Sequence, residues 1–161
     1  MVQEKNKENK ELSKALSASN GKLAIIRIRG LINIQRDIKR TLNQLKLYKK
    51  NFCVVIANNK SSFGMVTKVK DYVTWGEIDN ETYDILIDKK SEEYKDRLTD
   101  RKQKIEYNRF LDAKGKKIKK FFRLNSPRKG YGRKGIKVPF NKGGALGYRA
   151  EKINELIKRM I

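Results

Sequence analysis

The stretch Leu23-Ala-Ile-Ile-Arg-Ile-Arg-Gly30 decides the fold. It is apolar at four successive positions and then alternates between basic and apolar residues. This pattern predicts a β-strand whose first half is buried on both faces and whose end approaches a charged surface. Gly30 ends the strand. An apolar run at residues 52–57 and a β-branched and aromatic run at residues 72–78 predict two further strands.

Segments with helical spacing separate these strands. A helix over residues 35–47 is predicted by an apolar stripe formed by Ile34, Ile38, Leu42 and Leu45. A second helix is predicted over residues 63–71, after the polar loop that follows the second strand. The result is a β-α-β-α-β core of α+β class over residues 22–79. Residues 1–21 precede it as a tail that we expect to be disordered on its own.

The C-terminal region, residues 80–161, continues from this core. Its patterns predict helices over residues 80–90, 91–113 and 151–161, and a short strand over residues 121–124. Trp75 and Cys53 lie inside predicted strands, so we interpret both as core residues rather than as a stacking platform and a reactive thiol.

The composition narrows the function classes. The chain has 161 residues with 40 Lys and Arg against 18 Asp and Glu, a net charge of +22. Such a surplus repels itself in a compact fold unless an anion neutralises it. The chain has no His and one Cys, and it has no apolar stretch near the about 20 residues that a bilayer requires. We therefore expect no cofactor, metal site or secretory signal, with nucleic acid as the first candidate partner and an acidic membrane surface a distant second.

The charge is concentrated at the two ends of the chain. Residues 70–112 carry nine basic and twelve acidic residues, whereas residues 113–161 carry 16 basic and two acidic residues. Within the latter, residues 113–150 contain 13 Lys and Arg, no acid, both prolines and seven of the eleven glycines. This composition predicts an extended basic loop whose backbone can approach a phosphate chain closely.

The loop holds most of the candidate RNA-binding residues. Its cations displace counterions, and a tyrosine ring can stack on a base. The alternative, a flexible solvated loop, is disfavoured because so dense a basic run is costly to hold free. A nucleotide-binding P-loop is excluded, since Ile136 stands where that motif needs Lys. The candidates are Arg128, Lys129, Gly130, Tyr131, Arg133, Lys134, Lys137, Lys142 and Arg149.

Two further groups of candidates lie in the core. Basic residues at the end of the first strand and on the following helix form a patch if those elements are neighbours. The polar loop before the second helix offers phosphate contacts at a helix N-terminus. A solvated helix face and simple helix capping are the respective alternatives, and both stay open. The first group is Arg27, Arg29, Gly30, Arg36, Lys39 and Arg40; the second is Asn59, Lys60 and Ser61.

Two parts of the sequence, the core and the C-terminal end, resemble a known family. The segment LAIIRIRG, the strand FCVVIANN and the run GMVTKVKDYVTWGEID are similar to the ribosomal protein L-thirty family of the large subunit, called L-seven in eukaryotes. The ending FRLNSPRKGYGRKGIKVPFNKGGALGYRAEKINELIKRMI resembles the archaeal version. The matching segments, residues 23–79 and 122–161, cover roughly 60% of the chain.

The resemblance implies a fold and a role. It implies a three-stranded, mainly antiparallel sheet with helices on one face, followed by a C-terminal extension. It also implies binding to large-subunit ribosomal RNA beside neighbouring ribosomal proteins, in the cytoplasm. A structural, non-enzymatic role without a membrane or a small-molecule substrate is therefore expected. The alternatives are a free RNA chaperone or chromatin-type protein, and an RNA-modifying or phosphoryl-transfer enzyme, for which no acid–base pair is visible.

Overall fold

A computed structural model describes residues 21–100, 103–104 and 109–161. Except for Gly21, the predicted tail lies outside the described residues. The strands are β1 (Lys22–Arg27), β2 (Phe52–Ala57), β3 (Val73–Glu77), β4 (Phe110–Ala113), β5 (Lys116–Lys119), β6 (Phe122–Arg123) and β7 (Gly147–Tyr148). The helices are α1 (Arg36–Gln44), α2 (Lys60–Lys68), α3 (Asn80–Lys90) and α4 (Lys152–Met160), and a 3₁₀ turn covers Phe140–Lys142.

The strand β1 lies at the centre of the main sheet. It pairs antiparallel with β2 on one side and with β3 on the other, so that Ile25 lies opposite Val54 and Trp75. This arrangement confirms the predicted antiparallel core. Two short strands from the C-terminal region extend it, giving the order β6-β2-β1-β3-β7 in which only β7 is parallel to its neighbour. Elements from beyond residue 79 join the same sheet as the core strands. The chain division predicted at that residue stays a prediction.

Helices α1 and α2 cover one face of the sheet. Ile25 of β1 and Trp75 of β3 are buried there against Leu42 of α1 and Val66 of α2. This packing confirms the predicted core position of Trp75, and it follows from the apolar stripes on the two helices. Helix α2 begins three residues earlier than predicted, directly after Asn59.

The C-terminal region covers the opposite face. Ala24 and Ile26 of β1 pack there against residues of α3 and α4, among them Leu86, Leu156 and Ile157. Because alternate side chains of a strand point to opposite faces, the uninterrupted apolar run of β1 is explained by these two layers. Cys53 lies in the second layer, and burial raises the pKa of its thiol to about 12, as an unreactive core residue requires.

The helix predicted over residues 91–113 is wrong. The described part of this segment contains no helix, and Phe110–Ala113 forms a hairpin with β5, with Leu111 opposite Ile118. The two-residue turn between the strands is Lys114-Gly115, and both residues have positive φ (50° and 73°). Such a turn is the preferred connection in a two-residue hairpin. Apolar residues are too widely spaced here to form a helical stripe. Among the described residues of 91–119, Ile118 alone is buried in the core, with Leu111 and Ala113 packed beside it.

Leu156→Ala should lower the free energy of unfolding by about 3 kcal/mol, because it opens a cavity in a fully buried layer. The measurement is urea unfolding of the full chain followed by circular dichroism. Lys158→Ala, an exposed change on the same helix, is the matched control and should shift stability by less than about 0.5 kcal/mol. If the two variants lowered the free energy of unfolding equally, Leu156 would not be packed in the core as described.

Candidate nucleic-acid interface

The glycine-rich segment, defined here as residues 126–149, has a fixed path against the core. Its backbone bonds to itself, for example from the Phe140 amide to the Leu146 carbonyl oxygen at 2.7 Å. Ala145 and Leu146 are buried beside Ile28, which follows β1. The predicted extended loop is therefore only partly correct: long regular elements are absent from the segment, but its conformation is defined by its own hydrogen bonds.

Two glycines of this segment have different roles. A Cβ on Gly144 would lie 2.1 Å from the Val138 carbonyl oxygen, so this glycine lets the chain pack on itself. Gly130 has φ +73°, and a Cβ there would meet open space. Gly130 thus fits the predicted role of an accessible backbone beside phosphates, and so does Gly135, which is exposed and has the same open surroundings.

Six of the seven cations of the segment are exposed, as predicted, and the seventh, Arg149, is buried. The exposed ones are Arg128, Lys129, Arg133, Lys134, Lys137 and Lys142. Some of them border a concave surface of about 300 Å³, where Lys152 and Arg159 of α4 join Lys129 and Arg133. Glu155 is the one carboxylate that lines this concavity among the described residues. The concentrated positive charge suits a phosphate chain.

The predicted ring for base stacking, Tyr131, is engaged by the core. Its hydroxyl donates a hydrogen bond to the side-chain oxygen of Asn51, and its ring packs beside Ile28 and Leu146. Burial raises the pKa of this hydroxyl to about 12. The side chain therefore anchors the glycine-rich segment, which disfavours the predicted stacking role.

Arg149 is buried, with 5% of its surface exposed, which corrects its prediction as a direct RNA contact. Its Nε donates to Thr74 Oγ1 at 2.9 Å, and its Nη2 donates to the carbonyl oxygens of Tyr131 and Ala145 at 3.1 Å each. The guanidinium also lies 4.3 Å from the centre of the Phe140 ring. Burial, with the nearby Arg159 charge, lowers the pKa of Arg149 to about 10.

Arg27 is fully buried, and the structure corrects its prediction in the same way. Its Nε donates to the Arg29 carbonyl oxygen at 2.9 Å and its Nη2 to that of Gly30 at 2.8 Å. Its Nη1 donates to the carbonyl oxygens of Leu47 and Tyr48 at 2.8 and 3.1 Å. Burial lowers its pKa. Arg27 thus joins the start of the β1–α1 loop, residues 28–35, to the segment that follows α1.

The other candidates near β1 are accessible. Arg29 is half-buried, lies over the Tyr72 ring at 4.9 Å and donates to the Asp71 carbonyl oxygen at 3.3 Å. Gly30 is exposed, as are the predicted residues of α1, namely Arg36, Lys39 and Arg40.

The strand register divides the candidates between two ends of the sheet. Ile26 of β1 lies opposite Cys53 and Thr74, so the end of β1 lies beside the start of β2 and of β3. Asn51 and Thr74 at this end also bind the glycine-rich segment. The β1–α1 loop and the glycine-rich segment therefore share one end of the sheet.

The third group lies at the opposite end. Lys22 pairs with Ala57, and Asn59, Lys60 and Ser61 follow directly after that position, where they are exposed at the start of α2. Asn59 makes no side-chain capping bond to the helix. The polar loop is thus accessible, but the structure separates it from the two basic groups.

Two features of this surface were not predicted from the sequence. Lys152 and Arg159 join the concavity, although α4 was interpreted only as a closing amphipathic helix; their position off its apolar stripe was the available signal. The β1–α1 loop also exposes the apolar side chains of Leu31 and Ile32.

The fold and surface together define a small, strongly basic α+β protein with a mainly antiparallel sheet, one end of which carries both the β1–α1 loop and the glycine-rich segment. Residues 23–73 match the family described as Ribosomal protein L30p/L7e. The chain is 45% identical over 156 residues to the large ribosomal subunit protein uL30 of Nanoarchaeum equitans, covering 86% of this chain and 97% of that protein.

Two further archaeal relatives carry the same name. The protein of Methanopyrus kandleri is 42% identical, covering 83% of this chain and 100% of the relative. The protein of Methanococcus vannielii is 44% identical, covering 86% and 98%. The chain therefore belongs to the L30p/L7e family of ribosomal proteins, which confirms the resemblance seen in its sequence motifs.

The described residues show neither a membrane span nor a metal-binding cluster. In the described part of the chain, no helix has the length and apolar character needed to cross a bilayer. Within the same residues, His, Cys, Asp and Glu side chains form no group of three that could hold a metal ion. The expected independence from cofactors stays a prediction.

Arg27→Met should lower the free energy of unfolding by about 3 kcal/mol, because it leaves buried carbonyl oxygens without their donors. Thermal or urea unfolding of the full chain measures this change. Arg36→Met is the same substitution at an exposed position and should change stability by less than about 0.5 kcal/mol. A loss below about 1 kcal/mol for Arg27→Met would contradict the role assigned to its four hydrogen bonds.

Proposed function

We propose that this protein is a structural constituent of the large ribosomal subunit that binds and stabilises its ribosomal RNA. The observation that carries the proposal is its 42–45% identity, over most of the chain, to archaeal proteins named for that subunit. Its place is the cytoplasmic ribosome, beside neighbouring ribosomal proteins. Its role is binding rather than catalysis, in keeping with its family.

Phosphate neutralisation dominates the proposed binding. The exposed cations of the glycine-rich segment and of α1 displace the counterions of the RNA backbone. Such contacts orient a protein on RNA but carry no sequence information. Selectivity then comes from the shape of the RNA that matches a fixed arrangement of charges at one end of the sheet.

The alternative of a free RNA chaperone or chromatin-type protein differs in where the protein resides. A ribosomal constituent comigrates with the large subunit in a sucrose gradient at moderate salt. A free factor, or an RNA-modifying enzyme that acts transiently, sediments apart from the subunit. We expect comigration, and its absence would overturn the proposal.

The quadruple variant Arg128→Ala, Lys129→Ala, Arg133→Ala, Lys134→Ala should bind large-subunit ribosomal RNA more weakly. It should also flatten the dependence of log K on log salt by up to about 3.6 if all four side chains contact phosphates, since each lost contact contributes about 0.7–0.9. The four side chains are exposed, so the fold should be unaffected. A binding titration at several salt concentrations measures both quantities.

The matched control removes four charges from the acidic middle of the chain, at Lys89, Lys90, Lys95 and Arg97. It has the same net charge as the test variant and should leave the slope much closer to that of the natural protein. If the two variants flatten the slope equally, the contacts do not lie on the glycine-rich segment.

A further inference from the structure

The β1–α1 loop holds two aliphatic side chains in solvent. Ile32 is 89% exposed and Leu31 is 48% exposed, the two most exposed large apolar residues of the described chain. Isolated apolar residues are common on protein surfaces. These two are adjacent at the tip of a loop, and the next apolar residue, Ile34, packs against the core beside α1.

The loop is held in this conformation from both ends. At its start, the carbonyl oxygens of Arg29 and Gly30 accept hydrogen bonds from the buried Arg27. At its far end, Ile34 is anchored in the core and α1 begins at Arg36. Asn33, with φ 53°, completes the turn in a conformation that Asn tolerates better than most residues. The tip is therefore presented by a supported loop, so its aliphatic groups are not buried by simple collapse onto the domain.

The surroundings of the tip are basic. Arg29 precedes it and Arg36, Lys39 and Arg40 follow it, whereas Asp37 is the one acidic residue of the sequence between positions 29 and 47. The backbone of a second acidic residue, Asp71, lies against Arg29. A partner at this place must accept both positive charge and an apolar contact. RNA combines a phosphate chain with the apolar faces of its bases, and apolar side chains can pack against or between bases in nucleic acids.

We propose that Leu31 and Ile32 form an aliphatic wedge that packs against an exposed nucleobase face of large-subunit ribosomal RNA. Arg27 acts as the positioning residue for this wedge, and the neighbouring cations hold the adjoining phosphates. The inference rests on the proposed function and deepens it, because it assigns an apolar contact to a surface otherwise described by charge alone.

The test is equilibrium binding of the full chain to large-subunit ribosomal RNA. Ile32→Ser should weaken binding roughly tenfold, the effect expected from losing burial of much of one aliphatic side chain. The salt slope should be unchanged, because no charge is removed. Leu98→Ser, at an apolar residue 36% exposed in the acidic middle segment, is the matched control and should bind as the natural protein does.

A spectroscopic variant tests the contact itself. The natural tryptophan, Trp75, is 4% exposed and should respond little to RNA. Ile32→Trp places a second indole at the tip, and stacking on a base should quench its emission as RNA is added. Leu98→Trp supplies the matched control and should keep its emission.

The outcomes separate this inference from the proposed function. Weaker binding at constant salt slope, together with quenching, supports the wedge. If Ile32→Ser bound the RNA with an affinity within twofold of the natural protein, the wedge would be overturned. Reduced incorporation of such a variant into the subunit would then indicate that the tip contacts a protein instead of RNA. A natural chain with no salt-dependent affinity for ribosomal RNA would instead overturn the proposed function.

Discussion

The burial of β1 on both faces is the constraint on which the rest of the structure depends. Ile25 needs a cover of apolar side chains on one side of the sheet, and Ile26 needs another on the opposite side. Helices α1 and α2 supply the first layer, and the C-terminal region supplies the second. A sheet covered on both faces also fixes where the connecting segments emerge. The glycine-rich segment leaves β6 and returns through β7, the two edges of the same sheet, so its charged residues are tied to one end of a rigid framework.

Arginine has two separate uses in this molecule. Arg27 and Arg149 are buried, and most of their hydrogen bonds go to backbone carbonyl oxygens of loops. A buried guanidinium that loses its acceptors would be strongly destabilising, so each of these side chains holds several loop carbonyls in fixed positions. The exposed arginines and lysines then project from loops that the buried ones have shaped. The sequence alone does not distinguish the two uses. Arg27 and Arg29 are separated by a single residue, yet only Arg27 of this pair is fully buried.

Patterns with a short period predicted β1, β2, β3 and β6 and the helices that pack on them, because such patterns follow from which side of an element faces the core. The antiparallel pairing was implied by the family resemblance, and β7 was not predicted. The hairpin at residues 110–119 was missed, since its signal is the Lys114-Gly115 turn and its apolar pattern is weak. The burial of Arg149 was missed for a different reason. Its acceptors come from Thr74, Tyr131 and Ala145, and no local pattern links an arginine with partners up to 75 positions away. The exposure of the cations at 128–134 was predictable, because a dense run of charge without acids cannot be buried.

The defined path of the glycine-rich segment changes how its charge acts. An extended basic loop would lose conformational entropy when it is ordered on RNA, and this loss would offset part of the electrostatic gain. Here Tyr131, Arg149 and the self-packing at Gly144 have already ordered the backbone. The exposed cations project from this ordered backbone, so binding restricts side-chain rotamers rather than the path of the chain. The same reasoning extends to the β1–α1 loop, whose start is set by Arg27. The repulsion between the assembled charges therefore lowers the free energy of unfolding, and RNA that neutralises these charges binds a surface that is already formed.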